Sequence, residues 1–281
     1  MAAPMSYAEY LATLKAEGLT VIEHQTNGKS PAHHNRNHKG PWGPVNGVMI
    51  HHTVTRGHDH TVEVCRKGYS GLPGPLCHGV ICKQGHIHVV GYGRANHAGS
   101  GDDDVLRAVI DEKPLPADNE TNTDGNRHFY GFECENLGDG KDPWPAAQLE
   151  AIERASAAIC RHHGWNERSV IGHLEWQPGK VDPRGFTMSS MRARISDRLD
   201  SKTPSNSEQE EAPMADLTKH DVATATWFTD IIQAPPSAPD VENNPNWTPQ
   251  SYLRSIYNAA VRTEEKVDAL FTAVAELKKE N

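Results

Sequence analysis

The stretch VMIHHT, residues 48–53, is a short apolar run that ends in two adjacent histidines. A short continuous apolar run is typical of a strand that is buried within a sheet. A second stretch, VIGHLE at residues 170–175, repeats the arrangement. The sequence therefore predicts two buried strands, which end next to His51 and His173.

Further strands and helices are predicted around these two. Lys83-Gln84-Gly85 separates two alternating segments and predicts a β-hairpin with a glycine-containing turn. Apolar residues at helical spacing precede Gly164, which is placed to end a helix. The predicted helices cover residues 6–14, 146–163 and about 188–199, and the predicted strands cover 78–82, 86–90 and 129–135. Strands interleaved with helices imply an α/β fold with a mixed central β-sheet flanked by helices.

The composition argues against several partners. The 281 residues carry a net charge of −9, of which −7 falls in residues 203–281. An acidic chain lacks the basic surface that binds nucleic acid, so no nucleic-acid partner is expected. No stretch approaches the roughly 20 apolar residues of a membrane span, so no membrane insertion is expected. The N-terminus also lacks the basic and apolar regions of a secretory signal, which predicts a protein that starts in the cytoplasm.

The chain divides into a larger domain and a tail. Residues 202–213, KTPSNSEQEEAP, are polar and acidic and predict a linker. They separate a domain of residues 1–201 from a mostly helical tail of residues 214–281. Residues 249–279 have apolar positions at alternating steps of three and four, as in a coiled coil. This pattern fits a homo-oligomer as well as a helix packed on its own domain, and both remain open.

Three residues suggest a metal site. Asp182 follows His173 by nine residues, and His51 ends the other predicted strand. Two imidazoles and one carboxylate are a standard ligand set of catalytic zinc, with the fourth position left for water. The 17 histidines of the chain agree with metal binding. The five cysteines include no CxxC pair and predict reduced thiols.

Four strings carry a resemblance to a known family. MIHHT, GRANHAG, GFECEN and GHLEWQPGKVDP occur in this order between residues 49 and 183. Together they resemble the type-2 zinc N-acetylmuramoyl-L-alanine amidases, a family related to the peptidoglycan-recognition proteins, over roughly residues 40–200. Within that family, GRANHAG and the insertion that follows it look most like lysins of phages that infect actinobacteria. The resemblance implies the amidase and peptidoglycan-recognition type of α/β fold.

The resemblance also implies roles for individual residues. His51, His173 and Asp182 become the ligands of one zinc ion, Glu133 the general base, and Lys180 the group that stabilises the transition state. The substrate groove is implied to contain His97 and Asn96 of the NHAG string and also His78. Cys77 stands where many members have a tyrosine that assists the oxyanion. His78, Tyr69 or Tyr130 is an alternative for that contact, or Lys180 makes it alone.

The expected reaction is hydrolysis of the amide between N-acetylmuramic acid and L-alanine in bacterial peptidoglycan. Such a lysin waits in the host cytoplasm until a holin permeabilises the membrane, and it then causes lysis. A non-catalytic peptidoglycan-binding module and a zinc peptidase that cuts within the stem peptide are the alternatives. The tail, in which Trp227, Phe228 and Trp247 lie in an irregular stretch, is expected to serve oligomerisation or wall targeting.

Several polar residues are predicted to have no role in catalysis. His86 and His88 share one strand face, which is predicted to face solvent, and His52 is predicted to pack near the site. The pairs His58/His60 and His162/His163 are predicted to lie at the surface. Asp102 to Asp104 are predicted to form a solvated loop. Glu133 and Glu135 alternate on one strand, and Glu133 is favoured as the base because it occupies the family's position.

Overall fold

The computed structural model describes residues 2–200 and, in the tail, the short segments 232–233 and 246–247. The chain separates into two compact units, Met1–Asn206 and Ser207–Asn281. The predicted linker of residues 202–213 and the predicted helix of residues 249–279 lie outside the described residues. The only tail elements described are two paired strands, so the helical tail and its self-association stay predictions.

Strands and helices are interleaved along the first unit. The strands are β1 Val21–Glu23, β2 Gly47–His52, β3 Gly68–Tyr69, β4 Leu72–Pro73, β5 Gly79–Ile81, β6 Ile87–Val89, β7 Ser100–Gly101, β8 Thr123–Asp124, β9 Phe129–Cys134 and β10 Val170–Gly172, followed in the tail by β11 Ile232–Gln233 and β12 Asn246–Trp247. The helices are α1 Tyr7–Ala16, α2 His58–Lys67, α3 Asp103–Ile110, α4 Ala146–His163 and α5 Met188–Asp200. None of the helices among the described residues has the length and apolarity that crossing a membrane requires.

A six-stranded mixed sheet forms the centre of the first unit, in the order β1-β6-β5-β9-β2-β10. β5 and β6 form the predicted hairpin and pair antiparallel, while all other neighbours in the sheet pair parallel. The α/β fold with a mixed central sheet is therefore confirmed. The two strands predicted to carry the histidines, β2 and β10, are neighbours, with Ile50 opposite Gly172.

Side chains of the central strands alternate between two cores. Ile50 and Phe132 pack with α1, α4 and α5 on one face, where 25 buried residues form the main core. Met49 and Phe129 point to the other face and pack with α3 and Trp176. Because strand side chains alternate with a period of two, His51 and Glu133 lie on this second face.

Local signals explain where the helices begin and end. Ser6 caps α1 in a capping box with Glu9, and Gly164 ends α4 in the left-handed conformation at φ 69°. Asp102 is fully buried and caps α3, accepting from the backbone N–H groups of Asp104 and Val105. The prediction of a solvated loop at residues 102–104 is therefore wrong. These three aspartates instead begin α3, where acidic residues are stabilised by the helix dipole and by capping hydrogen bonds.

The predictions for the other histidines were partly correct. His58, His60 and His162 are exposed, as predicted. His163 is half-buried against Trp165 and contacts the hydroxyl of Tyr130 at 3.1 Å. His88 is only 4% exposed, so its strand face does not look into solvent. β6 is an inner strand of the sheet, between β1 and β5, and the rings of His24 and His58 cover His88 on this face.

Candidate active site

Three parallel strands bring the candidate residues to one edge of the sheet. β9, β2 and β10 are neighbours, and their carboxyl ends lie side by side. His51 lies directly opposite Glu133 in the register, and His173 is the first residue after β10. Ligands in open α/β sheets bind at the carboxyl ends of parallel strands. The fold thus brings together residues that are more than 100 positions apart in the sequence.

Ligand atoms of His51, His173 and Asp182 form a nearly equilateral triangle. Nδ1 of His51 lies 3.0 Å from Nδ1 of His173 and 3.0 Å from Oδ2 of Asp182, and the third side measures 3.2 Å. Tetrahedral zinc with bonds of about 2.0–2.1 Å holds its ligand atoms about 3.3 Å apart. The lone pairs of these three atoms repel one another at such distances unless protons or a metal ion lie between them. The donor set and its spacing therefore fit a divalent metal.

The ionisation of these groups also suits metal binding. Burial lowers the pKa of His51 to about 4, which keeps the imidazole neutral near pH 7. Burial by itself raises the pKa of Asp182, but the contacts with His173 and His51 outweigh it and hold the pKa well below its usual range. A neutral imidazole and an ionised carboxylate are the protonation states that a metal requires of such ligands.

A chain of hydrogen bonds fixes the tautomer of His51. Its Nε2 lies 3.1 Å from Nδ1 of His97, and Nε2 of His97 lies 3.1 Å from the carbonyl oxygen of Phe129. Because a carbonyl oxygen only accepts, His97 donates from Nε2 and accepts from His51 at Nδ1. His51 consequently carries its proton on Nε2 and presents the lone pair of Nδ1 to the triangle.

Neighbouring residues hold His173 and Asp182 in place. Nε2 of His173 lies 3.3 Å from Oε1 of Gln177, which leaves Nδ1 for the triangle. Glu175 accepts from the backbone N–H of Gly172 and pairs with Arg192 through both carboxylate oxygens. On the other side, Nδ1 of His52 accepts from the backbone N–H of Arg184, two residues beyond Asp182. His52 is thus a packing residue of the site, as predicted.

Glu133 lies beside the triangle and not within it. Burial, reinforced by the negative charge of Asp182, raises the pKa of Glu133 well above its usual range, and the cation of Lys180 opposes this. Its Oε2 atom is buried and has no hydrogen-bond partner among residues 2–200. Glu135 instead accepts from the backbone N–H groups of Gly57 and Lys83. Of the two glutamates, Glu133 is therefore the one with an oxygen free for proton transfer.

The triangle and Glu133 line a cleft of about 380 Å³. Asn96, His97 and Lys180 line it too, and all three also line an adjoining cleft of about 150 Å³. Exposed apolar side chains that cluster together often mark a binding site, and most of the large ones exposed in the described chain line the larger cleft. They are Val54, Tyr69, Leu72 and Val181. This groove combines apolar walls with a polar floor, as substrate sites do.

Some of the expected groove contacts are not supported. His78 is fully buried, its Nε2 lies 2.8 Å from the carbonyl oxygen of Gly93, and its Nδ1 accepts from the N–H of Gly131. Both nitrogens are thus engaged away from the clefts, which corrects the prediction that His78 contacts substrate. Tyr130 is buried in the main core, and Cys77 is buried together with Cys65 in a separate small apolar cluster. Of the alternatives to the family's tyrosine, Tyr69 and Lys180 line the cleft.

Supporting residues were missed by the sequence analysis. Oδ1 of Asn126 accepts from the backbone N–H groups of residues 97 to 99 and so holds the segment that carries His97. A Cβ atom on Gly131 would lie 2.4 Å from Nδ1 of His97, so only glycine lets this ring pack on β9. Gln177 lies inside the GHLEWQPGK string, so the motif could have identified it as a site residue. Asn126 and Gly131 act through contacts between distant segments and gave no such signal.

A second surface depression, of about 470 Å³, lies elsewhere on the first unit. Its walls include Lys113, Arg168 and the ion pair of Arg192 with Glu175. No group of metal-type ligands was found there within the described residues. The cleft at the carboxyl ends of the strands therefore remains the candidate active site.

Comparisons with known proteins give the family. Residues 41–185 match the family model described as N-acetylmuramoyl-L-alanine amidase, which is just over half of the chain. Comparison with curated protein sequences gave no significant match.

Similar solved structures include the endolysin amidase LysCS from Clostridium intestinale, at 14% identity and TM-score 0.42 over 63% of this chain and 94% of that one. A mutant endolysin from Bacillus subtilis is similar at 17% identity and TM-score 0.42, over 63% and 99%. The amidase AmiD from E. coli, in complex with its substrate, is similar at 15% identity and TM-score 0.40, over 61% and 65%. These TM-scores are low, and the assignment rests on the sequence match: the chain belongs to the N-acetylmuramoyl-L-alanine amidase family.

Proposed function

We propose that the protein is a zinc-dependent phage endolysin that hydrolyses the amide between N-acetylmuramic acid and L-alanine of bacterial peptidoglycan. The observation that carries this proposal is the ligand triangle of His51, His173 and Asp182, with Glu133 beside it, in an open cleft of an amidase-family chain. A module that only binds the wall has no need of a complete ligand set and a buried, unpaired carboxyl.

Zinc is the metal that this donor set favours. His51, His173 and Asp182 would hold it, each through one of the triangle's atoms. Two imidazoles and one carboxylate leave a coordination position open, as in catalytic zinc sites. When bound, the ion supplies Lewis acidity, which activates water at neutral pH and polarises the scissile carbonyl.

Glu133 is proposed to transfer the protons of the reaction. Its raised pKa suits a group that takes a proton from the attacking water and then delivers it to the leaving amine of L-alanine. Lys180 lines both clefts and brings an ammonium group to this region. Its positive charge stabilises the negative charge that develops on the carbonyl oxygen. Hydrolysis separates the stem peptide from the glycan strand.

The exposed apolar residues around the cleft are proposed to hold the muropeptide. Tyr69 and Leu72 belong to the β3–β4 hairpin, and Val181 precedes Asp182. Such side chains pack on the apolar faces of sugar rings and on the methyl groups of lactyl and alanine moieties. Asn96 adds a polar group where the two clefts meet.

The test is a digest of purified actinobacterial peptidoglycan, with mass spectrometry of the soluble products. We expect free stem peptides that begin at L-alanine, loss of this release after chelation, and its return on addition of zinc. A His51→Ala variant should release nothing, whereas the exposed His60→Ala should match the wild type. Tight binding without release would favour the binding module, and cuts within the peptide would favour the peptidase.

The phage role and the tail need separate tests. If the proposed holin-dependent release is correct, the protein should lyse an expressing bacterium only when a holin or chloroform opens the membrane. Lysis without permeabilisation would contradict the proposed release.

For the tail, a chain truncated after Lys202 should still cleave a soluble muropeptide but lose wall binding or self-association. Loss of soluble-fragment hydrolysis in a folded truncate would contradict an accessory role.

A further inference from the structure

A second group of metal-type ligands lies on the β5–β6 hairpin, outside the candidate active site. Cys82 follows β5, His86 precedes β6, and His88 lies within β6. One ligand atom from each of the three residues lies within 4.8 Å of the other two. His86 and His88 share one face of the hairpin, because residues two apart on a strand point the same way. Cys82 lies beside His86 on the other arm, and its backbone N–H donates to the carbonyl oxygen of His86. The sequence analysis paired only His86 with His88 and missed Cys82 as the third member.

The cluster is buried and contains a ring nitrogen without a hydrogen-bond partner. Cys82 is 1% exposed, His88 is 4% exposed, and His86 is partly exposed in the turn. Nδ1 of His88 lies 2.9 Å from Nε2 of His24, while its Nε2 is buried and has no hydrogen-bond partner among the described residues. A buried ring nitrogen without a hydrogen-bond partner carries a free-energy cost in the folded protein. A bound cation at this nitrogen would remove that cost.

We propose that Cys82, His86 and His88 form a second, structural site for a zinc-like divalent metal. Thiolate and imidazole are the ligands that such ions prefer in structural sites. On binding, the Cys82 thiol loses its proton to solvent and the thiolate coordinates the ion. Nε2 of His88 is the coordinating atom, since Nδ1 is held by His24. An outer partner of this kind is common for metal-bound histidines, where it fixes the ring orientation.

The present spacing is close to that of a formed site. A tetrahedral zinc site places ligand atoms about 3.3–3.6 Å apart, so a separation of up to 4.8 Å requires a contraction of about 1 Å. His86 can supply this movement, because it is partly exposed and lies in the turn. The ring of exposed His58 is tilted against that of His88, with ring centroids 5.2 Å apart, and borders the proposed site. Because His88 contacts His24, which follows the edge strand β1, the ion would link the β5–β6 hairpin to β1.

The two metal sites differ in one property that an experiment can detect. The triangle of His51, His173 and Asp182 contains no sulfur, whereas the proposed site contains a thiolate. Cobalt(II) replaces zinc in such sites and gives a near-ultraviolet charge-transfer band only when a thiolate is bound to it. Titration of the metal-free full-length chain with cobalt(II) therefore reports the second site separately from the first.

We expect this band in the wild type and in a His51→Ala, His173→Ala variant, which lacks the first site. It should be lost in Cys82→Ala and in His86→Asn, the second of which changes a partly exposed turn residue and should leave the fold intact. Cys160→Ala removes another buried thiol, within α4, and should keep the band. Bound zinc should fall from two ions per chain to one in Cys82→Ala.

Zinc should also raise the melting temperature of the variant without the first site, and this increase should vanish in His86→Asn. Absence of the band in the wild type, or its persistence in both Cys82→Ala and His86→Asn, would overturn the proposal. Absence of bound zinc from the His51→Ala, His173→Ala variant would overturn it as well. None of these results depends on amidase activity, so they stand apart from a failure of the proposed function.

Discussion

Nε2 of His51 lies 3.1 Å from Nδ1 of His97, and this contact decides which nitrogen of His51 faces Asp182. His97 in turn is fixed by the carbonyl oxygen of Phe129 and packs on Gly131. His97, the expected groove residue, thus also positions His51, the proposed metal ligand. Metal-bound histidines generally depend on such partners.

Replacing His97 should weaken metal binding without removing a ligand. In His97→Ala, the ring of His51 loses its acceptor, so we expect zinc affinity to fall roughly 10- to 100-fold. Competition with a chromogenic chelator measures this affinity. Asn126→Ala, which loosens the same segment, should give a smaller loss of the same kind. Unchanged affinity in a folded His97→Ala would show that the contact has no positioning role.

Glu133→Gln should abolish turnover while the metal stays bound. The amide cannot accept the proton of water, and loss of a general base costs roughly 10²–10⁴-fold in kcat. Soluble muropeptide hydrolysis measures the rate, and metal analysis confirms occupancy. The control is Glu135→Gln, because Glu135 accepts from the backbone N–H groups of Gly57 and Lys83. It should lower the melting temperature and leave kcat near that of the wild type. Equal kcat losses in both variants would argue against a special role of Glu133.

Two variants of Tyr69 separate the contribution of its hydroxyl from that of its ring. Tyr69 is 56% exposed and lines the cleft, so substitutions should not disturb the fold. We expect that the ring holds the substrate. Tyr69→Ala should then raise KM several-fold, whereas Tyr69→Phe should leave both kcat and KM unchanged. A lower kcat in Tyr69→Phe would instead show that the hydroxyl assists the oxyanion in place of the family's tyrosine.

The buried His78 should make the protein less stable in acid. Burial lowers the pKa of His78 to about 4, although its backbone contacts with Gly93 and Gly131 oppose this. The unfolded chain has a histidine pKa of about 6.5, so it binds more protons than the folded chain between these values. Stability from this residue is therefore complete above about pH 6.5 and is lost as the pH falls toward about 4.

Urea unfolding in the presence of a chelator measures this dependence. Between about pH 6.5 and about pH 5, His78 alone should contribute a loss of about 2 kcal/mol in the free energy of unfolding. His78→Gln should lose less stability than the wild type over this interval, and exposed His60→Gln should follow the wild type. Parallel curves for all three proteins would contradict the prediction.

Local patterns predicted most of the fold. The α4 helix was expected at residues 146–163 and has these bounds, because its apolar spacing and the capping glycine act within a few turns. The apolar runs of β2 and β10 and the hairpin were correct for the same reason. Helices α2 and α3 were missed, since both are short and rich in charged residues. The capping role of Asp102 depends on α3 and was missed with it.

The sequence by itself determined the strands that end at His51 and His173, the α/β class and, through its motif strings, the family and the candidate ligands. These features are encoded in side-chain periodicity and in short segments, which can be recognised without knowing what packs against them. Only the tertiary structure decided that His97 orients His51, that His78 is buried away from the cleft and that Cys82 joins His86 and His88. Such relationships depend on strand order, register and the face to which a side chain points, which are set by the burial of the two cores as a whole.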